Sequence, residues 1–233
     1  MTPISVHRTH GGSIVTPIVC EPVDIDKWKH LLATVEAVIN VVPAYNPDHR
    51  SEVFDLVTEA VKAVRPTCAA NLTYVETSSV WVHGDNREEV VTDTTPTTTP
   101  HPYSAWRVVH ERNVVGSTVL NGIVIRPAWV IGRSGSYLGN MLFSDAGAGE
   151  VVWIGTPGAR YSIIHQDDLA DAYVRAVERG SIVRGSTFDV TNEFTESVDD
   201  ILATFCRISG AKGYKYRKPI NRKRLLSSLV MLC

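Results

Sequence analysis

Three side chains in this sequence have types and spacing suited to proton transfer: Ser79, Tyr103 and Arg107. Ser79 ends the run Thr77-Ser78-Ser79, which closes a β-branched apolar stretch beginning at Leu72, and Gly84 follows. Tyr103 comes 24 residues later and Arg107 four residues after that, a spacing that puts both on one face of a helix. A free tyrosine has a pKa of about 10 and is a poor base at neutral pH. A fixed positive charge within a few ångströms favours phenolate and suits the residue to proton transfer. A hydroxyl at a strand end can fix a carbonyl or alcohol oxygen beside that phenol. A purely structural reading stands beside this one: Tyr103 as an N-terminal helix residue on a packed face, and Arg107 as a surface cation.

Other residues fit other chemistries less well. His7 and His10 are three apart, but no cysteine or carboxylate lies at ligand spacing, so no metal site is expected. The four cysteines, Cys20, Cys68, Cys206 and Cys233, form no CxxC pair, which argues against a zinc ribbon or a disulfide framework. Ser79 lacks the GxSxG elbow of a hydrolase. Asp167 and Asp168 open a helical segment, where carboxylates cap and complement the dipole. The sequon at Asn71 is expected to be unused.

These candidates need a scaffold, and the hydrophobic pattern supplies one. Ile4–Arg8 and Ile14–Cys20 read as short strands about a Gly11-Gly12 turn, and Asp26–Thr34 as a helix. Ala37–Val42 is a continuous apolar run, as in a strand covered on both faces. Ser51–Val64 is an amphipathic helix with Val53, Phe54, Val57, Val61 and Val64 on one stripe. Leu72–Thr77 reads as strand, residues 90–101 as a Thr- and Pro-rich exposed connection, Tyr103–Asn113 as helix and Ser117–Arg126 as strand. Short strands follow at Val151–Ile154 and Tyr161–Ile164, then a helix at Asp167–Arg179 stopped by Gly180, a strand at Thr187–Val190 and a helix at Val198–Ser209. Strands alternating with helices of this length predict an α/β fold: a Rossmann-like, doubly wound parallel sheet. Ligands of such a sheet lie at the carboxyl ends of its strands. Arg8, Asp24-Ile25-Asp26 and Thr77-Ser78-Ser79 all fall at such ends.

With 44% hydrophobic and 21% charged residues over 233 positions, the chain can bury a sizeable core and is not a disordered polymer. The net charge of −2 hides an asymmetry: the last 23 residues carry seven bases, from Lys212 to Arg224, and no acid. Such a tail suits either solvent or an acidic partner. No aromatic stacking pattern accompanies it, so no nucleic acid is expected as a partner. No apolar run approaches the roughly 20 residues of a membrane span, and no signal-like stretch opens the chain; a cytoplasmic protein with no membrane partner is expected. Residues 1–133 are read as one domain and 134–233 as a smaller substrate-side lobe, with the 160–190 segment free to pack back on the first.

In order and spacing together, Asp24-Ile25-Asp26, AVINVVPA (Ala37–Ala44), YVETSSVWVHG (Tyr74–Gly84), Pro96…Pro100…Tyr103, RPAWVIG (Arg126–Gly132) and HQDDLA (His165–Ala170) form a pattern. Through it the chain resembles the short-chain dehydrogenase/reductase superfamily, in its extended or atypical branch of the NAD-dependent epimerase/dehydratase type. The resemblance covers about Ile4 to Lys212. It implies that Ser79 hydrogen-bonds the reacting oxygen, that Tyr103 is the general acid or base, and that position 107 holds the cation serving the tyrosine and the nicotinamide ribose. Asp24 and Ile25 would flank the adenine, and Val42 and Pro127 would line the cofactor cleft. Arg8 would stand near the adenosine ribose, where a cation favours the 2′-phosphate of NADP over NAD. The implied activity is NAD(P)-dependent oxidoreduction, or epimerisation through a transient ketone. The implied substrate is a small molecule: a carbonyl compound, an alcohol or a nucleotide-sugar. The alternative is a non-catalytic binding or regulatory protein on the same fold. Helices like Ser51–Val64 and Tyr103–Asn113 pair homodimers in relatives.

The sequence departs from that pattern twice. The family has lysine where this chain has Arg107, and a planar, forked cation is not a conservative exchange at a tight site. The glycine-rich strand–turn–helix that cradles the pyrophosphate should precede Arg8, and these residues do not contain it. Gly132, Gly135 and Gly139 are spaced temptingly but match the family's substrate loop better. The expectation is a sheet without its first strand, in a truncated, spliced or degenerate chain whose own dinucleotide binding is weak or lost.

Overall fold

The computed structural model describes residues 18–42, 47–86, 89–133 and 149–218. The expected strand at Ile4–Arg8, with Arg8 itself, lies outside them, as does most of Ile14–Cys20; residues 18–20 carry no strand. The described residues divide into two compact units. One holds those up to Ile125 together with Arg175–Phe188, and the other holds Arg126–Val174 and those from Asp189 onward.

A parallel sheet organises the first unit. Strand β1 (Ala37–Asn40) leads through helix α1 (Pro47–Val64) to β2 (Thr73–Thr77), and β2 leads through α2 (Ala105–Val115) to β3 (Asn121–Pro127). Parallel neighbours cannot be joined by a hairpin, so each connection crosses over through a helix. The register pairs Ala37 with Thr73 and Thr73 with Asn121, and β7 (Thr187–Val190) completes the order β1-β2-β3-β7. The stripe predicted on α1 is its buried face: Val53, Phe54, Val57 and Val61 pack with Leu72, Tyr74, Val114 and Val124. Gly122 is required where β3 passes the end of α2, since a Cβ there would sit 1.9 Å from the Val114 carbonyl oxygen.

Two expectations are corrected. Asp26–Thr34 is not an α-helix but two 3-10 turns, Ile25–Lys27 and Lys29–Ala33, and only Leu32 in them is fully buried. The strand at Ala37 stops at Asn40, and Ile39 and Val41 are exposed, so among the described residues it is not covered on both faces. The helix expected at Asp167–Arg179 ends at Glu178, with Gly180 just past it as expected. Gly180 opens a short helix, α4 (Gly180–Val183), which follows α3 (Gln166–Glu178), and a Cβ on it would meet the Thr73 hydroxyl at 2.1 Å.

The second unit packs around aromatic residues. Strands β4 (Trp129–Ile131) and β6 (Arg160–His165) are parallel, and β6 pairs antiparallel with β8 (Thr195–Ser197). Strand β5 (Val151–Ile154) pairs with β9 (Tyr214–Arg217), so part of the basic tail is a strand. Helix α5 (Val198–Ser209) is capped by Ser197, whose Oγ accepts from the Asp200 amide, and is closed by left-handed Gly210. It buries Val198, Leu202 and Phe205 against Val151 and Trp153. The Asp199 carboxylate accepts from Tyr216 at 2.8 Å, Tyr214 at 3.2 Å and the Gly158 amide at 3.1 Å, tying helix, strand and turn together.

Candidate active site

Ser79 stands just past the carboxyl end of β2 and caps a 3-10 turn, Val80–His83. Its Oγ accepts from the Trp81 amide at 3.3 Å, which leaves its own O–H free to donate to another oxygen. The chain then leaves through Gly84, at φ +72°, where a Cβ would collide with the Thr99 carbonyl at 2.0 Å. That close approach, the His101 amide donating to the Trp81 carbonyl at 3.0 Å, and the Trp81–His101 ring contact at 5.3 Å bring the segment before Tyr103 back beside Ser79. The 24-residue gap in sequence is thus bridged by backbone contacts.

Tyr103 is not inside the helix. Helix α2 begins at Ala105, and Tyr103 sits in the turn before its cap, Ser104, so the expected i, i+4 sharing of a helical face with Arg107 does not apply. Its backbone is held from both sides: its amide donates to His101 Nδ1 at 3.3 Å, and its carbonyl accepts from Trp106 Nε1 at 3.1 Å. The side chain is half-buried.

Arg107 is not a free surface cation. Its guanidinium stacks on the Trp106 ring, 4.7 Å from the centroid, and Nη1 donates to the Thr77 carbonyl at 3.1 Å, two residues before Ser79. Burial, and then the like charge of Arg50, lower its pKa to about 10, so it stays cationic at neutral pH.

Beneath these groups lies a buried polar network. Tyr74 and Glu76, two apart on β2, face the same side of the sheet. Glu76, 1% exposed, pairs with Arg50 of α1 at 2.9 Å, accepts from Asn40 Nδ2 at 2.8 Å, and has His110 Nε2 3.5 Å away. Asn40 Nδ2 also reaches the Tyr74 hydroxyl at 3.0 Å, and burial pushes the Tyr74 phenol well above its ordinary range. Arg50 Nη1 donates as well to the Thr77 carbonyl, so two guanidinium groups share that oxygen. Ser78 donates to Glu111 of α2. None of Asn40, Arg50, Glu76 or His110 was singled out from the sequence. The signal was there in Asn40 and Glu76, a polar and a charged residue inside runs expected to be buried, where such groups need partners.

The remaining expected residues are spread more widely. Asp24 pairs with Lys27 at 2.7 Å, and that hydrogen bond holds its carboxyl below the usual range. Ile25 packs partly against the core of the first unit. The Val42 amide donates to Asn40 Oδ1 at 3.1 Å, which joins it to the network. Pro127 ends β3, buried, in the second unit. Among the described residues, no group of three or more His, Cys, Asp or Glu could hold a metal ion, and no helix is long and apolar enough to cross a membrane.

The sequence model of the NAD dependent epimerase/dehydratase family matches residues 7–190, most of the chain. The chain belongs to that family. Solved structures share this family fold at low identity. dTDP-glucose 4,6-dehydratase from Bacillus anthracis, in complex with NAD, is 15% identical with a TM-score of 0.72, over 88% of this chain and 68% of its own. RMD from Pseudomonas aeruginosa, complexed with NADPH, is 16% identical with a TM-score of 0.68, over 88% of this chain and 77% of its own. UDP-glucuronic acid 4-epimerase from Bacillus cereus, in complex with NAD, is 18% identical with a TM-score of 0.65, over 82% and 65%. No curated protein sequence matches the chain.

Proposed function

We propose that this chain belongs to an NAD(P)-dependent oxidoreductase or epimerase/dehydratase acting on a small carbonyl compound, an alcohol or a nucleotide-sugar, with Ser79, Tyr103 and Arg107 as its reacting set. The observation that carries this reading is Arg107 on the Thr77 carbonyl, which puts a permanent cation at the ligand end of β2 beside Ser79 and the segment bearing Tyr103. Both named epimerase and dehydratase neighbours carry NAD, and the NADPH-bound neighbour leaves the choice of dinucleotide open.

In this reading Ser79 donates its O–H to the substrate oxygen and fixes it. Tyr103 exchanges a proton with that oxygen as it changes between alcohol and carbonyl. Arg107 supplies the fixed positive charge of the set and hydrogen-bonds the ribose hydroxyls. Bound dinucleotide would supply or accept the hydride. A cation held at a strand end fits a hydroxyl-bearing ligand; a pyrophosphate cradle is not among the described residues. Asp24, Ile25, Val42, Pro127 and Arg8 are proposed on the dinucleotide side, and the lobe from residue 134 onward as the source of substrate selectivity.

The test is turnover. Purified chain is incubated with NADH or NADPH and a panel of nucleotide-sugars and small carbonyls, and nicotinamide oxidation and sugar interconversion are followed. Activity that falls about 10²–10⁴-fold in Tyr103→Phe supports the reading. Dinucleotide binding without turnover on any substrate selects the non-catalytic alternative, which Arg107 in the family's lysine position favours.

A further inference from the structure

The helix that follows Tyr103 grips the exit of β2 at two consecutive residues. Arg107 Nη1 donates to the Thr77 carbonyl at 3.1 Å, and one turn later on the same face of α2 the Glu111 carboxylate accepts from the Ser78 hydroxyl. The Ser78 amide meanwhile donates to the Ile125 carbonyl of β3 at 2.6 Å, so the backbone of Ser78 stays with the sheet while its side chain reaches the helix. Ser79 is the next residue, and Tyr103 lies in the turn that leads into α2. Ser78 and Glu111 are both buried. The charge of Glu111 also acts on the Arg107 guanidinium, as do those of Arg50 and Glu76. Burying a carboxylate against a hydroxyl costs free energy that an apolar side chain of similar volume would not, so packing alone does not account for Glu111.

We propose that Glu111 is a positioning residue: by holding Ser78 to α2 it fixes Ser79 at a set distance from Arg107 and from the turn bearing Tyr103. This rests on the reading of Ser79, Tyr103 and Arg107 as the reacting set. An anchor at the Thr77 carbonyl alone leaves the residues after it free to rotate; a second anchor one residue on sets their direction. A displacement of about 1 Å at a reacting group costs about 10²-fold in rate. The contact needs a donor at position 78 and an acceptor at position 111.

Two readouts test this on the full chain. The first, hydrogen exchange read by peptide mass spectrometry, needs no ligand. Exchange at residues 79–84 should quicken about tenfold in Ser78→Ala and in Glu111→Leu, while that of α1 stays as in the parent. In Glu111→Gln, which keeps an acceptor oxygen, it should stay within about threefold of the parent. Unchanged exchange in both S78A and E111L overturns the proposal. The second readout is turnover with NADH or NADPH on the panel above. Because S78A, E111L and the double variant S78A/E111L all lose the same contact, kcat should fall about 10²-fold in each, with the dinucleotide KM within about threefold. The urea midpoint of S78A/E111L should nonetheless lie at or above the parent's, since the buried carboxylate and its hydroxyl are both gone. A merely structural role predicts that kcat follows stability and recovers in the double variant. That recovery overturns the proposal, and it can be read even where a single variant fails to fold. Turnover in E111L equal to the parent's, with Y103F impaired, removes only the role of Glu111. A parent without turnover removes the underlying reading, and the role of Glu111 with it.

Discussion

Neutralising Glu76 should cost the first unit a large part of its stability. In Glu76→Gln the side-chain volume and one acceptor oxygen remain, so the Asn40 contact can survive, but Arg50 is left 3% exposed with no counter-charge. Breaking one side of a buried ion pair costs about 3–5 kcal/mol. The retained amide oxygen argues for the lower end, about 3 kcal/mol, against a total of about 5–15 kcal/mol for a domain. With a urea slope of about 1–3 kcal/mol per molar, the unfolding midpoint should fall by roughly 1–3 M. Urea titration followed by circular dichroism measures this. The companion variant R50M/E76L removes both charges and should lie near the parent or above it, since apolar replacement of a buried pair is neutral or stabilising by about 1–4 kcal/mol. A loss below about 1 kcal/mol in E76Q, or a double variant as unstable as the single, would refute the claim that desolvated charge governs this network.

Further outcomes follow from the same contacts. Ser79→Ala should lower turnover about 10²-fold while the dinucleotide dissociation constant, from fluorescence titration, stays within about threefold; equal losses in both would place Ser79 in binding instead. Gly122→Ala should destabilise by at least about 1–3 kcal/mol in thermal melts, because the new methyl meets the Val114 backbone and not a movable side chain. Asp199 is held below the usual carboxylate range, first by the Tyr216 hydroxyl and then by the Gly158 amide. A depressed folded value means its contribution is complete above pH of about 4 and is lost as pH falls through that lower value. Acid melts followed by tryptophan fluorescence should show this limb flattened in Asp199→Asn; an unchanged limb would remove Asp199 as its source.

Where one rule decided a segment, that segment was legible in the sequence. The α1 stripe, the Leu72 strand and the alternation of strands with helices follow from periodicity and burial, and α1, β2 and the parallel order β1-β2-β3 stand where that reasoning puts them. Tertiary contacts decided the rest. Tyr103 misses the helix because His101 and Trp106 hold its backbone in a turn, which no i, i+4 count can show. The acidic start at Asp26 suggested a helix, yet that stretch closes in 3-10 turns with Asp24–Lys27 and Asp26–Lys29 pairs three residues apart. The short strands β4, β8 and β9 carry too few residues for a periodic signal. Arg50 stands just before the stripe read at Ser51–Val64, and its burial beside Glu76, 26 positions away, is a tertiary contact that no local pattern shows.

Ligand-observed saturation-transfer NMR with NADH and NADPH, which registers even weak association, tests the central claim most directly. The account predicts transfer from the chain to nicotinamide-ribose protons that Arg107→Met reduces by about tenfold or more in affinity. Equal transfer in the parent and in R107M, or none to either dinucleotide, would contradict it.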